Sequence, residues 1–179
     1  QSISGEEQAP IDVVFIIDIS GSMSNQNSAM TNSAGQTYSR IKFTIDAVND
    51  AIDAIMDLNP YTRVGVVGFS NSAVTLLPLD RYTKTTDRFG QETEYFTLSR
   101  NTASSNYADI YTNAVNSAGR TITSTNDVEG GTNTQKGIYQ GMNLLATVGS
   151  TKATINGEEV QRVPEGILLS DGASTYSPT

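Results

Sequence analysis

Hydrophobic positions along the chain change their spacing from block to block, and each spacing predicts an element. Val13 to Ile17 is apolar throughout and breaks at Asp18 into a Ser- and Gly-rich tail. A short unbroken apolar run bounded by turn residues reads as a strand buried on both faces, here Asp12 to Asp18. Asn25 to Gln36 is polar and rich in Ser, Asn and Gly, which predicts a loop. From Tyr38 to Leu58 the residues Ile41, Ile45, Val48, Ile52, Ile55 and Met56 recur at helical spacing, with Asp46, Asp50, Asp53 and Asp57 between them. This predicts an amphipathic helix stopped by Asn59 and Pro60. RVGVVGF, from Arg63 to Phe69, and AVTLLPL, from Ala73, are separated only by SNS, and so short a connection predicts an antiparallel hairpin.

The stretch from Asp80 to Glu129 is less regular, and it is too long to lack elements of its own. Its spacing predicts a strand pair around Glu94 to Leu98 and a helix around Tyr107 to Ile122, with Ile110, Ala114, Val115 and Ala118 on one face. After EGGTNTQKG, helical spacing resumes through Ile138, Met142 and Leu145 to Thr147. TKATINGEEVQRV predicts a hairpin turning on Asn156-Gly157. EGILLSDG then repeats the opening design, with an apolar run from Ile167 to Leu169 followed by Asp171. Alternating strands and helices predict an α/β fold: a doubly wound, mostly parallel sheet with one antiparallel edge strand. Residues 1–179 then form one domain with insertions near 25–36, 81–105 and 150–163.

Topology gathers distant residues. If Asp18 marks the top of the sheet, the strand from Arg63 also ascends, its partner from Ala73 descends, and the helix near Tyr107 climbs back. That path delivers Thr132 to the top, ahead of a descending helix, and the last strand ascends to Asp171. Asp18, Ser20, Ser22, Thr132 and Asp171 therefore meet at the carboxyl edge, where open α/β sheets bind ligands. They offer oxygen donors only, the hard ligands that suit Mg²⁺, Mn²⁺ or Ca²⁺. Each has a plainer reading too: Asp18 or Thr132 as a helix cap, the serines satisfying turn amides, Asp171 as a turn residue. The four aspartates of the first helix read as a solvated face. Tyr82, Tyr95, Tyr107 and Tyr111 are either a recognition surface or packing beneath the long loop.

Composition narrows the function. With 179 residues, 37% of them hydrophobic, the chain can bury one ordinary core. A net charge of −8 and a pI near 4.4 argue against nucleic acid as a partner. No apolar window approaches the roughly 20 residues that membrane insertion needs. The chain contains neither Cys nor His, which removes disulfides, the commonest general base and the commonest transition-metal ligand. There is no G-x-S-x-G elbow, Walker A or G-x-G-x-x-G pattern. A phosphoaspartyl hydrolase would carry a second acid two residues after its aspartate, and Ser20 stands there. The expectation is a binding module, with a metal-dependent hydrolase the lesser alternative.

DISGS, followed far downstream by GGTNT and then LLSDG, resembles the metal-ion-dependent adhesion site of von Willebrand factor A domains. RVGVVGFSNSAVTLLPL resembles the second and third strands of the same family. The resemblance implies that Ser20, Ser22 and Thr132 are metal ligands, with Asp18 and Asp171 coordinating directly or through water. It implies Mg²⁺ as the usual ion and a partner's acidic side chain in the vacant position. The acidic, Ser/Thr/Asn-rich composition is similar to that of surface adhesins and pilus tip proteins of Gram-positive bacteria. By that likeness the module sits extracellularly, at the cell surface, and binds a host matrix or cell-surface protein; a structural role in assembling a pilus is the alternative. The family's fold also continues after its LLSDG strand. This leads to the expectation that the C-terminal remainder is supplied by a second chain or segment, beside a strand GILLS buried in mid-sheet.

Overall fold

A computed structural model of the protein describes residues 10–26, 29–103, 107–146 and 152–170. Its main sheet has four strands: β1 (Ile11–Asp18), β4 (Arg63–Phe69), β5 (Ala73–Asp80) and β11 (Val163–Leu169), in the order β11-β1-β4-β5. β1 runs parallel to β11 and β4, whereas β5 is antiparallel to β4. The sheet is therefore mixed, with the antiparallel edge strand where the SNS turn predicts it. Residues alternate faces along a strand. Val13, Phe15 and Ile17 join one core cluster with Ile41, Ile45, Val48 and Ile52, while Val14 and Ile16 join another with Val67 and Phe69.

Those helical residues belong to α1 (Arg40–Leu58), whose Ser39 cap accepts the Lys42 N–H. On the opposite face lies α2 (Thr134–Ala146), against β1, β4 and β5. It packs through small residues: Gly137 and Gly141 are its buried positions. A Cβ on Gly137 would stand 2.5 Å from Phe69, and one on Gly141 2.6 Å from Ile16. Ile138 and Leu145 are partly buried, as helical spacing predicts, but Met142 is 43% exposed. The glycines rotate the inward stripe away from it. No helix among the described residues is long and apolar enough to cross a membrane.

The region after β5 departs most from expectation. The helix predicted around Tyr107 to Ile122 is instead a hairpin of β7 (Ala108–Val115) and β8 (Thr121–Val128). Ile110 and Ala114 are four apart, a spacing that a strand's period of two satisfies as well as a helix. Ala108, Ile110, Thr112 and Ala114 are the buried face of β7, and threonines at 121, 123 and 125 favour strand in its partner. The turn is built by Asn116, whose Oδ1 accepts the Ala118 and Arg120 N–H groups, and by Gly119 at φ +78°. The predicted strand pair around Glu94 to Leu98 is one strand, β6 (Phe96–Leu98), paired to β7. Asn49 of α1 binds its outer side, donating to Phe96 O at 2.9 Å and accepting from Phe96 N at 3.1 Å. A helix side chain thus does for β6 what another strand would do.

The Asn25 to Gln36 loop ends in a small hairpin of β2 (Met30–Thr31) and β3 (Thr37–Tyr38). Met30 there shares a cavity of about 230 Å³ with Met23, Phe43 and Leu169, which places this hairpin beside the carboxyl end of β11. The predicted Asn156-Gly157 hairpin is present as β9 (Lys152–Ile155) and β10 (Glu158–Gln161), with φ +54° and +82° at the turn. Val163 pairs with Ile11, so that hairpin lies at the opposite pole. At the same pole Asp12 is held by Arg63 through two hydrogen bonds and by Arg162 at 3.2 Å. Among the described residues β11 lies at the edge of this sheet.

Candidate metal centre

β1 ends at Asp18, and Ile19 N still donates to Phe69 O at 2.8 Å. The chain then turns within three residues. Ser20 N donates to Asp18 Oδ1 at 2.8 Å, and a single tight helical turn over Gly21–Met23 follows. Met23 is buried and anchors that turn, while Asp18 and Ser20 are each 1% exposed and Ser22 faces solvent. The two hydroxyls meet, Ser20 Oγ and Ser22 Oγ lying 3.2 Å apart. Ser24, also buried, donates to Gly21 O at 3.3 Å and Val128 O at 3.4 Å.

Thr132 reaches this loop through its backbone neighbours. Gly21 N donates to Gly130 O at 3.0 Å, Gly131 N to Asn71 Oδ1 at 3.0 Å, and Asn133 N to Ser70 O at 2.7 Å. The segment around Thr132 is thereby stitched between the β1 loop and the β4–β5 turn. Gly130 needs its glycine, with φ +92°, and a Cβ on Gly131 would stand 2.5 Å from Asn71 Oδ1, so that Asn71 would have to move. The cap of α2 is Asn133, whose Oδ1 accepts the Lys136 N–H at 3.2 Å. That leaves the exposed Thr132 hydroxyl without the capping task its sequence position suggests. The climb back to the top is made by β8, whose Val128 meets Ser24, and not by a helix. Asp171 lies outside the described residues; β11 runs beside β1 as far as the Leu169–Ile17 pair, one residue short of Asp18.

The donors fit a small hard cation. Two oxygens on adjacent corners of an octahedron at about 2.1 Å from the ion stand about 3.0 Å apart, and the serine hydroxyls stand 3.2 Å apart. Among the described residues no group of three or more His, Cys, Asp or Glu is placed to hold a metal. The donors this loop offers are one carboxylate and two hydroxyls. Asp46 and Asp53, candidates for a solvated face, are ion-paired to Lys42 and Lys84.

One side of the loop carries negative charge. Asp109 and Asp127 are directly opposite in the β7–β8 ladder. A hydrogen bond to Asp127, with lesser contributions from burial and from the charges of Asp127 and Glu129, raises the Asp109 carboxyl above the usual range. Of the four tyrosines, Tyr82 and Tyr95 are 3% exposed, whereas Tyr107 and Tyr111 are 55% and 41% exposed. Sequence reasoning missed Asn71 and Tyr107 as neighbours of the loop. The SNS turn hinted at the first, and nothing in spacing marks the second.

Residues 13–172 match the profile of the von Willebrand factor type A domain. The chain belongs to that family. Domains of this kind commonly mediate protein interactions, and the match spans the Asp18 loop, the Thr132 segment and the β11 strand of this von Willebrand A domain. Among solved structures, the domain is similar to a crystal structure of an uncharacterized membrane spanning protein from Vibrio fischeri. The two are 30% identical over 39% of this chain and 31% of that one, with a TM-score of 0.34. No curated protein matches the chain.

Proposed function

We propose that this von Willebrand A domain is a metal-dependent adhesion module that binds a protein partner, with Asp18, Ser20, Ser22 and Thr132 holding Mg²⁺. Asp171 joins the set on the sequence resemblance alone. The observation that carries the reading is the pair of serine hydroxyls 3.2 Å apart above the buried Asp18, with the Thr132 segment tied to the same loop through Gly130 O. Mn²⁺ and Ca²⁺ suit the same oxygen donors. A bound Mg²⁺ supplies a hard Lewis acid with a position for a partner's carboxylate oxygen. The chain's own part is positional: Met23 and Ser24 fix the turn, Asp18 orients the Ser20 amide, and Gly21, lacking a side chain, leaves room for the Tyr107 ring against the loop. Catalysis is not part of the reading, since a chain without histidine lacks the usual base.

The finer picture is an extracellular, cell-surface adhesin or pilus tip module of a Gram-positive bacterium, with a host matrix or cell-surface protein as partner. It rests on the resemblance and on the acidic, Ser/Thr/Asn-rich composition. A doubly wound arrangement of the sheet belongs to the same reading. Binding to a panel of matrix proteins, with Mg²⁺ and again with chelator, tests the proposal. Chelator-sensitive capture that Asp18→Ala abolishes supports it, and Thr132→Ala should weaken capture less, because only a neutral oxygen is lost. Capture indifferent to chelator and to Asp18→Ala would defeat it.

A further inference from the structure

The three-stranded sheet brings an exposed aromatic side chain to the metal loop. Tyr107 leads into β7 and is 55% exposed, and its Cε1 and Cζ lie 3.0 and 3.6 Å from where a Cβ on Gly21 would stand. Gly21 separates Ser20 from Ser22, so the ring lies against the loop that presents both hydroxyls. The placement is held from below. Ser24 is hydrogen-bonded to Val128 O, and Val128 pairs with Ala108, next to Tyr107. Glu129, on the other side of Val128, is exposed, and so is Asp127.

A ring of this kind attracts a cationic group to its face, and the exposed carboxylates of Asp127 and Glu129 flank Val128, the ladder partner of Ala108. The same carboxylates, in a chain of net charge −8, repel a bare anion approaching the site. Building on the metal-ligation reading above, we infer that Tyr107 is a specificity-determining residue of the ion site: the partner presents its coordinating carboxylate beside a lysine or arginine, whose cation rests on the Tyr107 ring. A carboxylate in basic surroundings satisfies the ion and its acidic rim together. An isolated carboxylate satisfies only the ion.

The test uses the full chain and two capped peptides, Lys-Lys-Asp-Lys-Lys and Gly-Gly-Asp-Gly-Gly, titrated calorimetrically in saturating Mg²⁺ and in chelator. The lysine peptide should bind about fivefold more tightly, by one cation–π contact and partial charge pairing, and only with Mg²⁺. Tyr107→Phe should keep that ratio, and Tyr107→Ala should reduce it to about twofold or less with Mg²⁺ affinity unchanged. The chain contains no tryptophan, so Tyr107→Trp places a single tryptophan at the rim, excited selectively at wavelengths where tyrosine does not absorb. Its emission should be quenched saturably by Mn²⁺, and not when Asp18→Ala is added. A ratio near one, a ratio that survives Tyr107→Ala, lysine-peptide binding that persists in chelator, or absent quenching would each overturn the inference while leaving metal binding intact. Failure of the wild-type chain to bind Mg²⁺ at all would remove the underlying reading, and this inference with it.

Discussion

Replacing Asn49 with alanine should loosen the three-stranded sheet from the rest of the molecule. Asn49 is 2% exposed, and its amide satisfies both the N–H and the C=O of Phe96, itself 1% exposed. Truncation leaves two buried backbone groups without partners, at about 1–3 kcal/mol each. Some relaxation is expected, so the net loss should be about 2–4 kcal/mol, a large share of the roughly 5–15 kcal/mol that stabilises a typical domain. Urea unfolding followed by circular dichroism measures it. Asn49→Asp sharpens the test. Its buried carboxylate should have a folded pKa raised above its unfolded value, so it destabilises at neutral pH. As pH falls through the folded pKa the acid becomes neutral and can again donate one hydrogen bond and accept one. The deficit relative to wild type should therefore narrow on acidification. A cost below about 1 kcal/mol for Asn49→Ala, or a deficit in Asn49→Asp that stays constant with pH, would refute this account of how the sheet is attached.

Gly137→Ala and Gly141→Ala add a helix former but drive a methyl toward Phe69 at 2.5 Å and Ile16 at 2.6 Å. Overpacking of about 1–3 kcal/mol should outweigh a propensity gain of about 1 kcal/mol, so thermal melts of both variants should fall below wild type. Alkali should also unfold the domain. Burial and the Asp53 carboxylate push the Tyr95 phenol up to about 12, and Asp53 and Glu94 hold the Lys84 ammonium above its usual range. Both groups favour their protonated forms in the fold. Their stabilisation is therefore complete below an unfolded pKa of about 10 and fades as pH rises through the folded values. Tyr95→Phe should flatten part of that decline in a series of melts between neutral pH and 12.

The main sheet and α1 were legible because each carries one unambiguous period, and α2 was legible as a helix though not in the face it buries. Val13 to Ile17 is long enough and apolar enough for only one reading, and α1 repeats its apolar residues over 19 positions. The hairpin at Tyr107 was misread because Ile110 and Ala114, four apart, satisfy both periods. Threonine alternation in β8 was the better signal. Strand direction placed Asp18, Ser20 and Ser22 at one edge of the sheet, and Thr132 was expected beside them by way of a helix, whereas the β7–β8 hairpin is what returns the chain there. Asn71 and Tyr107 were not legible, since neither belongs to the motif and each reaches the loop by tertiary packing: Asn71 through the Gly131 N–H, Tyr107 across Gly21. Met142 misled because two glycines, invisible to a hydrophobic pattern, decide which face of α2 can approach the sheet.

The central claim is that the Asp18 loop holds a divalent cation, and anomalous diffraction from crystals grown with Mn²⁺ tests it most directly. The account predicts an anomalous peak about 2.2 Å from both Ser20 Oγ and Ser22 Oγ, within coordination reach of the Thr132 hydroxyl, and its loss in crystals of Asp18→Ala. Density at the Asp109–Asp127 pair with none between the two serines, or no bound manganese at all, would contradict it.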